Sequence, residues 1–210
     1  MRIEVSRDVF RLAQVFTISR GSRTEAQVLT VRITDGGVTG WGECVPYARY
    51  GETLESVTAE IEALRGPLTR DALYDLLPAG AARNAVDCAL WDLQAKQAGK
   101  PVWELAGLAR PGPEITAFTL SLDSPEKMRE QAALHAHRPL LKIKLGTPDD
   151  MPRLEAVRAG APDAQIIIDA NEGWSAAVYA DLAPHLVRLG VSLVEQPLPA
   201  GDDDALVGME

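Results

Sequence analysis

Pro139–Gly146 reads PLLKIKLG, an apolar strand interrupted twice by lysine. Side chains alternate across a strand, so Lys142 and Lys144 share one face while Leu141 and Ile143 share the other. The segments on either side repeat a strand-then-helix beat. Upstream, ITAFTLSL (115–122) predicts a strand, and Ser124-Pro125-Glu126 starts a helix with proline in its first turn. Downstream, a helix runs through Leu154 and Val157, and QIIIDA (165–170) is the next strand. Ser175 caps a helix carrying Val178, Leu182, Leu186 and Leu189; VSLVEQP (191–197) is the fourth strand, and a further helix is expected near Asp203. Strands alternating with helices imply parallel βαβ units, and runs such as QIIID and SLVE suit strands covered on both faces.

The first half of the chain has a different texture. In VLTVRITDGGVTGWGEC (28–44), two extended runs flank Asp35-Gly36-Gly37, a hairpin signal. Leu29, Val31 and Ile33 form its apolar face; Thr30, Arg32 and Thr34 form its polar face. Leu54, Val57, Ile61 and Leu64 recur at helical spacing, as do Ala82, Val86, Ala89, Leu90 and Leu93, and Gly99 with Pro101 closes the second helix. An α+β domain is therefore expected over residues 1–110, and a partial (β/α) barrel of four strands over residues 111–210. An open doubly wound sheet is disfavoured because the glycine-rich phosphate turn after its first strand is missing.

Composition narrows the function. The 210 residues include 21 Lys plus Arg and 30 Asp plus Glu, a formal charge of −9. Nucleic-acid and anionic-membrane partners call for a basic face, so neither is expected. Cys44 and Cys88 have no metal-binding or disulfide spacing, which fits a reducing cytoplasm. MRIEVSRDVF lacks the pattern of a secretory leader, and no apolar run approaches the ~20 residues of a membrane span.

The strand ends carry the chemistry. Lys142 and Lys144 lie on the second barrel strand, Asp169-Ala170-Asn171 ends the third, and Glu195-Gln196-Pro197 ends the fourth. In a parallel barrel such ends converge on one mouth, where active sites form. If Leu141 and Ile143 face the helices, the lysines point inward, where ammonium groups need partners. Asp169 and Glu195 are expected to supply them, directly or beside a bound ion. Hard oxygen ligands favour Mg²⁺. A dication beside two lysines suits removal of a proton next to a carboxylate, one lysine taking the proton. Such a base needs its pKa brought below the ~10.4 of a free lysine, as a second cation nearby would do. His135, His137 and His185 fall on helices away from these ends and are expected to cap, pack or face solvent.

These motifs resemble the K-x-K, D-A-N and E-Q-P signatures of the enolase superfamily, muconate-lactonizing subgroup. PYARYGET (46–53), PAGAARNAVDCALWDL (78–93) and EQPLPAGDD (195–203) resemble its dipeptide epimerases, which interconvert L-Ala-D-Glu and L-Ala-L-Glu. The resemblance implies an α/β fold with an α+β N-terminal capping domain and the first half of a (β/α) barrel, truncated after the fourth strand. It implies epimerisation through an enediolate. Lys144 would be the catalytic base, Lys142 would bind the substrate carboxylate, and Asp169 and Glu195 would be Mg²⁺ ligands with Asn171 beside them. Thr119 would contact the dipeptide, Arg20 would reach its side-chain carboxylate, and Arg49 and Tyr50 would lie in a loop closing over the mouth. The third acidic ligand and the opposite-face lysine would lie on later strands, so a complementing C-terminal half or a homo-oligomer is the expected partner besides the dipeptide. Muconate cycloisomerase, o-succinylbenzoate synthase and N-acylamino acid racemase chemistry, or a non-catalytic half-barrel acting by association, are the alternatives.

Overall fold

A computed structural model describes residues 1–208, which divide into two compact units. The first comprises Met1–Arg11 and Glu25–Gly112; the second comprises Leu12–Thr24 and the chain from Pro113 onward.

A three-stranded sheet contributes to the first unit, in the order β1 (Arg2–Ile18), β2 (Gly21–Asp35), β3 (Val38–Cys44). β2 and β3 pair antiparallel from Leu29 opposite Cys44 to Asp35 opposite Val38. The two-residue turn between them, Gly36-Gly37, has φ of 57° and 82°, the primed-turn geometry that glycine adopts without strain. Leu29, Val31 and Ile33 are fully buried, as their alternation requires. Helices α1 (Leu54–Glu62), α2 (Arg70–Leu76), α3 (Ala81–Ala98) and the single turn α4 (Val102–Leu105) follow. α3 lies against β3 through Ala85, Ala89 and Leu93, and the strand answers with Gly40 and Gly42. A Cβ on Gly42 would stand 2.0 Å from the Ala85 carbonyl oxygen, so only glycine permits this approach.

Cys44 ends β3 inside this core, whereas Cys88 sits exposed on α3, both as free thiols. Burial, then the nearby Glu52 and Glu43 charges, pushes the Cys44 thiol up to about 11. The thiolate is the species that alkylates. Iodoacetamide at pH 8.5 should therefore modify Cys88 alone in the native protein and both cysteines in denaturant, as peptide mass analysis would read. Equal native labelling of Cys44 would contradict its packing.

The second unit holds four parallel strands in sequential order: β4 (Phe118–Leu120), β5 (Leu140–Lys144), β6 (Gln165–Asp169) and β7 (Val191–Glu195). Between them run α5 (Pro125–Leu134), α6 (Met151–Gly160) and α7 (Ala176–Arg188). Ser124 and Ser175 cap α5 and α7 by accepting from backbone N–H groups. One face of the sheet is buried, with Leu141, Ile143, Ile166 and Ile168 packed among Met128, Ala132, Leu154, Val157, Leu182 and Leu186. That places Leu141 and Ile143 against the helix layer and leaves Lys142 and Lys144 on the opposite face.

Two elements differ from the sequence expectation. β4 covers only three of the eight residues in ITAFTLSL, and Ile115 is exposed. Beyond β4 the chain bonds instead to the β1–β2 hairpin tip: Leu122 N donates to Thr17 O (3.1 Å), and Thr17 N donates to Ser121 Oγ (2.7 Å). Near Asp203 the chain makes a 3₁₀ turn, Asp203–Leu206, in place of an α-helical start. Among the described residues, no helix is long and apolar enough to cross a membrane.

Candidate active site

Register brings the charged residues together. Lys144 is the Cα partner of Asp169, and Asp169 is the partner of Glu195, so these three residues form one row across the C-terminal ends of β5, β6 and β7. Lys142 stands two residues earlier on the same face of β5, paired with Thr119 of β4. In a parallel sheet, row neighbours project to the same side, which is why residues as far apart in sequence as Lys144 and Glu195 meet here.

The lysines find their partners directly. Lys144 Nζ donates to Asp169 Oδ2 at 2.5 Å and to Asn171 Oδ1 at 3.2 Å. Lys142 Nζ lies 3.0 Å from Asp169 Oδ2 and also bonds Glu195 Oε2. Asp169 Oδ1 accepts from the Asn171 backbone N–H (3.0 Å). Lys144 and Asp169 are buried, while the Glu195 side chain is 44% exposed. Burial opposes the charge on Asp169, but hydrogen bonds from Lys144 and Lys142 outweigh it and hold the carboxyl below its ordinary range. Burial likewise opposes the charge on Lys142, yet Glu195 and Asp169 hold that ammonium above the ordinary lysine value. In this arrangement, then, the carboxylates govern Lys142 and retain its proton.

The β-strand ends are followed by strained backbone. Asn171, Glu172 and Gln196 all have positive φ (48°, 65° and 47°) without being glycine, and such conformations persist only where the surroundings fix them. The fixing bonds run between loops: Glu172 N donates to Gln196 O (2.7 Å), and Trp174 N donates to Pro197 O (3.1 Å). Asp150, almost fully buried at the start of α6, accepts from Gly146 N, Thr147 N and Trp174 Nε1. The loop after Lys144 is thereby tied to the loop after Asp169.

The hairpin tip that belongs to this unit completes the surroundings. Arg20 Nη1 donates to Asn171 O (2.7 Å) and lies 3.3 Å from Glu172 Oε2; Ser19 Oγ donates to the same Asn171 carbonyl (3.2 Å). The Phe16 ring centroid lies 5.9 Å from Lys144 Nζ. Of the residues singled out from sequence, Lys142, Lys144, Thr119, Asp169, Asn171, Glu195 and Arg20 thus gather at these strand ends. Arg49 lies in a 3₁₀ turn of the first unit, Ala48–Tyr50, whose loop Glu52 anchors by accepting from Tyr47 N and Ala81 N. Sequence reasoning missed Phe16, Ser19, Glu172 and Asp150. Glu172 had one available signal, an acid directly after the D-A-N run; the hairpin tip had none. His135 caps α5 and lies tilted against Phe118 with ring centroids 3.9 Å apart, and His185 lies within α7, so neither joins the site.

Asp169 and Glu195 present hard carboxylate oxygens on adjacent strand ends, a donor set that fits two ligands of a divalent cation such as Mg²⁺. Among the described residues, no group of three or more His, Cys, Asp or Glu gathers as a metal site.

Residues 2–107 match the sequence profile of the mandelate racemase / muconate lactonizing enzyme N-terminal domain, and residues 127–209 match that of the enolase C-terminal domain-like family. The chain belongs to the enolase superfamily. Its fold combines the family's N-terminal capping domain with a parallel four-stranded sheet. The L-Ala-D/L-Glu epimerase of Escherichia coli is 44% identical, aligned over 97% of this chain and 65% of its own length. An N-acetyl-D-glutamate racemase from a Pseudoalteromonas species is 42% identical, over 86% of this chain and 59% of its own. A crystal structure of an Agrobacterium tumefaciens enolase-family member, described as homologous to dipeptide epimerases and bound to sodium and L-Ala-L-Glu, superposes with a TM-score of 0.95. It is 52% identical and covers 99% of this chain, which spans 65% of that protein. The chain therefore spans less than two thirds of the length of these relatives.

Proposed function

We propose that this chain carries the metal-binding face and one proton-transferring lysine of an epimerase acting on L-Ala-D/L-Glu dipeptides. The observation that carries this reading is the row Lys144–Asp169–Glu195 with Lys142 beside it: two cations and two carboxylates on one sheet face, at the strand ends where barrel enzymes do their chemistry. Lys144 takes the α-proton from one face of the glutamyl residue and returns it. Lys142, held protonated by Glu195 and Asp169, orients the α-carboxylate. Thr119, in register with Lys142, contacts the dipeptide, and Arg20 reaches its side-chain carboxylate. Asp169 and Glu195 are the Mg²⁺ ligands this chain provides. When bound, the ion supplies positive charge for the carboxylate on which negative charge develops as the proton leaves.

The four strands are, in this reading, the first half of a (β/α) barrel. By the family resemblance, the third acidic ligand and the lysine for the opposite face belong to strands after β7. Free thiols at Cys44 and Cys88 suit a cytoplasmic setting.

The N-acetyl-D-glutamate racemase among the relatives favours a second reading, racemisation of an N-acylated glutamate. Both substrates present a glutamate whose nitrogen is acylated, and one measurement separates them. Loss of the glutamyl α-proton signal is followed by NMR in deuterated water with Mg²⁺, using this chain together with the strands the family places after β7. Exchange from L-Ala-L-Glu should exceed that from N-acetyl-D-glutamate by at least ~10-fold, about one 1.4 kcal/mol step in transition-state binding. The reverse order would assign the racemase activity, and exchange from neither would refute both.

A further inference from the structure

The β6–α7 loop places a carboxylate against the arginine assigned to the substrate side chain. Arg20 Nη1 lies 3.3 Å from Glu172 Oε2, and the Glu172 side chain is only 11% exposed. The contact is built from both sides. Glu172 adopts left-handed backbone (φ 65°) directly after left-handed Asn171, and its N–H is fixed on Gln196 O at 2.7 Å. The Asn171 carbonyl receives both Arg20 Nη1 (2.7 Å) and Ser19 Oγ (3.2 Å). Asn171 in turn touches Lys144 through its side chain. A carbonyl acceptor alone would hold a guanidinium in place. The further carboxylate adds a negative charge beside it, from a side chain that is mostly buried, while the guanidinium itself stays 34% exposed and within reach of a ligand.

We propose that Glu172 is a specificity-determining residue that tunes the charge selectivity of the site. By partly neutralising Arg20, it limits how strongly the site prefers an anionic side chain over its neutral isostere, and it keeps the guanidinium oriented when no substrate is bound. Three cations, Arg20, Lys142 and Lys144, then face three carboxylates, Glu172, Asp169 and Glu195. Counted without the divalent cation, these side chains balance in charge before a ligand arrives. This proposal rests on the reading that Arg20 meets the glutamyl side chain.

The test is calorimetric titration of the 210-residue chain with L-Ala-L-Glu and with L-Ala-L-Gln, which differ by one charge and little shape. Glu172→Gln keeps a hydrogen-bond acceptor near Arg20 but removes the charge, and it should raise the Glu-over-Gln affinity ratio roughly threefold to tenfold. Glu172→Asp retains the charge and tolerates left-handed backbone, so its ratio should stay within about twofold of the original. A purely structural Glu172 would shift affinity for both dipeptides together and leave the ratio unmoved, and that outcome, or a fall in the ratio, overturns the proposal alone. Arg20→Gln separates the underlying reading: the ratio should fall to about one. An unchanged preference in that variant, or no saturable binding of either dipeptide by the original chain, overturns the role of Arg20 and the proposal with it.

Discussion

Lys144→Arg should reduce solvent exchange of the glutamyl α-proton from one epimer of L-Ala-Glu by at least ~10²-fold, the lower end of what a positioned acid–base group contributes. Exchange from the other epimer, served by a base on the opposite face, should fall less. The substitution is informative because a guanidinium preserves the positive charge facing Asp169 and Asn171, while arginine stays protonated at any working pH. A loss of exchange in a variant whose thermal melt is little changed therefore reports on the proton and not on the fold. Lys144→Ala should lose the same exchange and also stability, since it leaves a buried carboxylate with one partner fewer. Undiminished exchange from both epimers in Lys144→Arg would remove Lys144 from the chemistry.

The site could be read from sequence because parity along a strand is a hard constraint. Once Leu141 and Ile143 are assigned to the core, Lys142 and Lys144 must face the other way, and they do. Register across parallel strands is less constrained by local sequence. That Lys144, Asp169 and Glu195 share one row depends on pairings spanning tens of residues, and on the irregularity between Ile166 and Ile167 that lets β7 bring Glu195 level with Asp169. Only the succession of similar strand endings hinted at it.

The hairpin tip was not legible. β1 carries charges at Arg2, Glu4, Arg7, Asp8 and Arg11 and has no fully buried residue; the apolar alternation of Ile3 and Val5 breaks at Arg7, so nothing in the pattern announces the strand's length. Its far end is specified by contacts with distant residues, Thr17 with Ser121 and Arg20 with Asn171 and Glu172, and a sequence pattern does not record such contacts. β4 was overextended for the related reason that ITAFTLSL has strand propensity throughout, whereas ladder partners exist for three of its residues only. Glu172 and Asp150 escaped notice because a carboxylate's role depends on what faces it. Asp150 in particular looks like an ordinary surface acid ahead of a helix until its donors are seen: Gly146 N, Thr147 N, Trp174 Nε1 and Arg153 Nη1, with the Thr147 hydroxyl.

Asp169→Ala should cost about 3–5 kcal/mol, the usual penalty for leaving a buried charge without its partner, because Lys144 is almost fully buried and Asp169 is its closest counter-charge. In a chain of this size that corresponds to a fall in melting temperature of roughly 10 °C. Glu195→Gln should cost no more than about 1 kcal/mol, since the Glu195 carboxylate is largely solvated and Lys142 keeps Asp169 as a second partner. The contrast places the structural weight on Asp169 while both residues serve the cation in the proposed function. The penalty should also depend on pH with a definite sign. Asp169 has a folded-state pKa below the ordinary 3.8, so its contribution is complete above that value and is lost as pH falls through the lowered one. Melting curves of the original chain and of Asp169→Ala, taken from pH 7 down to pH 3, should run parallel at first and converge only below about pH 4. If Lys144 were instead stabilised chiefly by Asn171 and the Phe16 ring, the two curves would nearly coincide at neutral pH. A double replacement of Lys144 and Asp169 by leucine would then be worse than either single change. With the ion pair dominant, the double variant should recover part of the loss of Asp169→Ala, because removing both charges lifts the desolvation cost that a lone buried ammonium incurs.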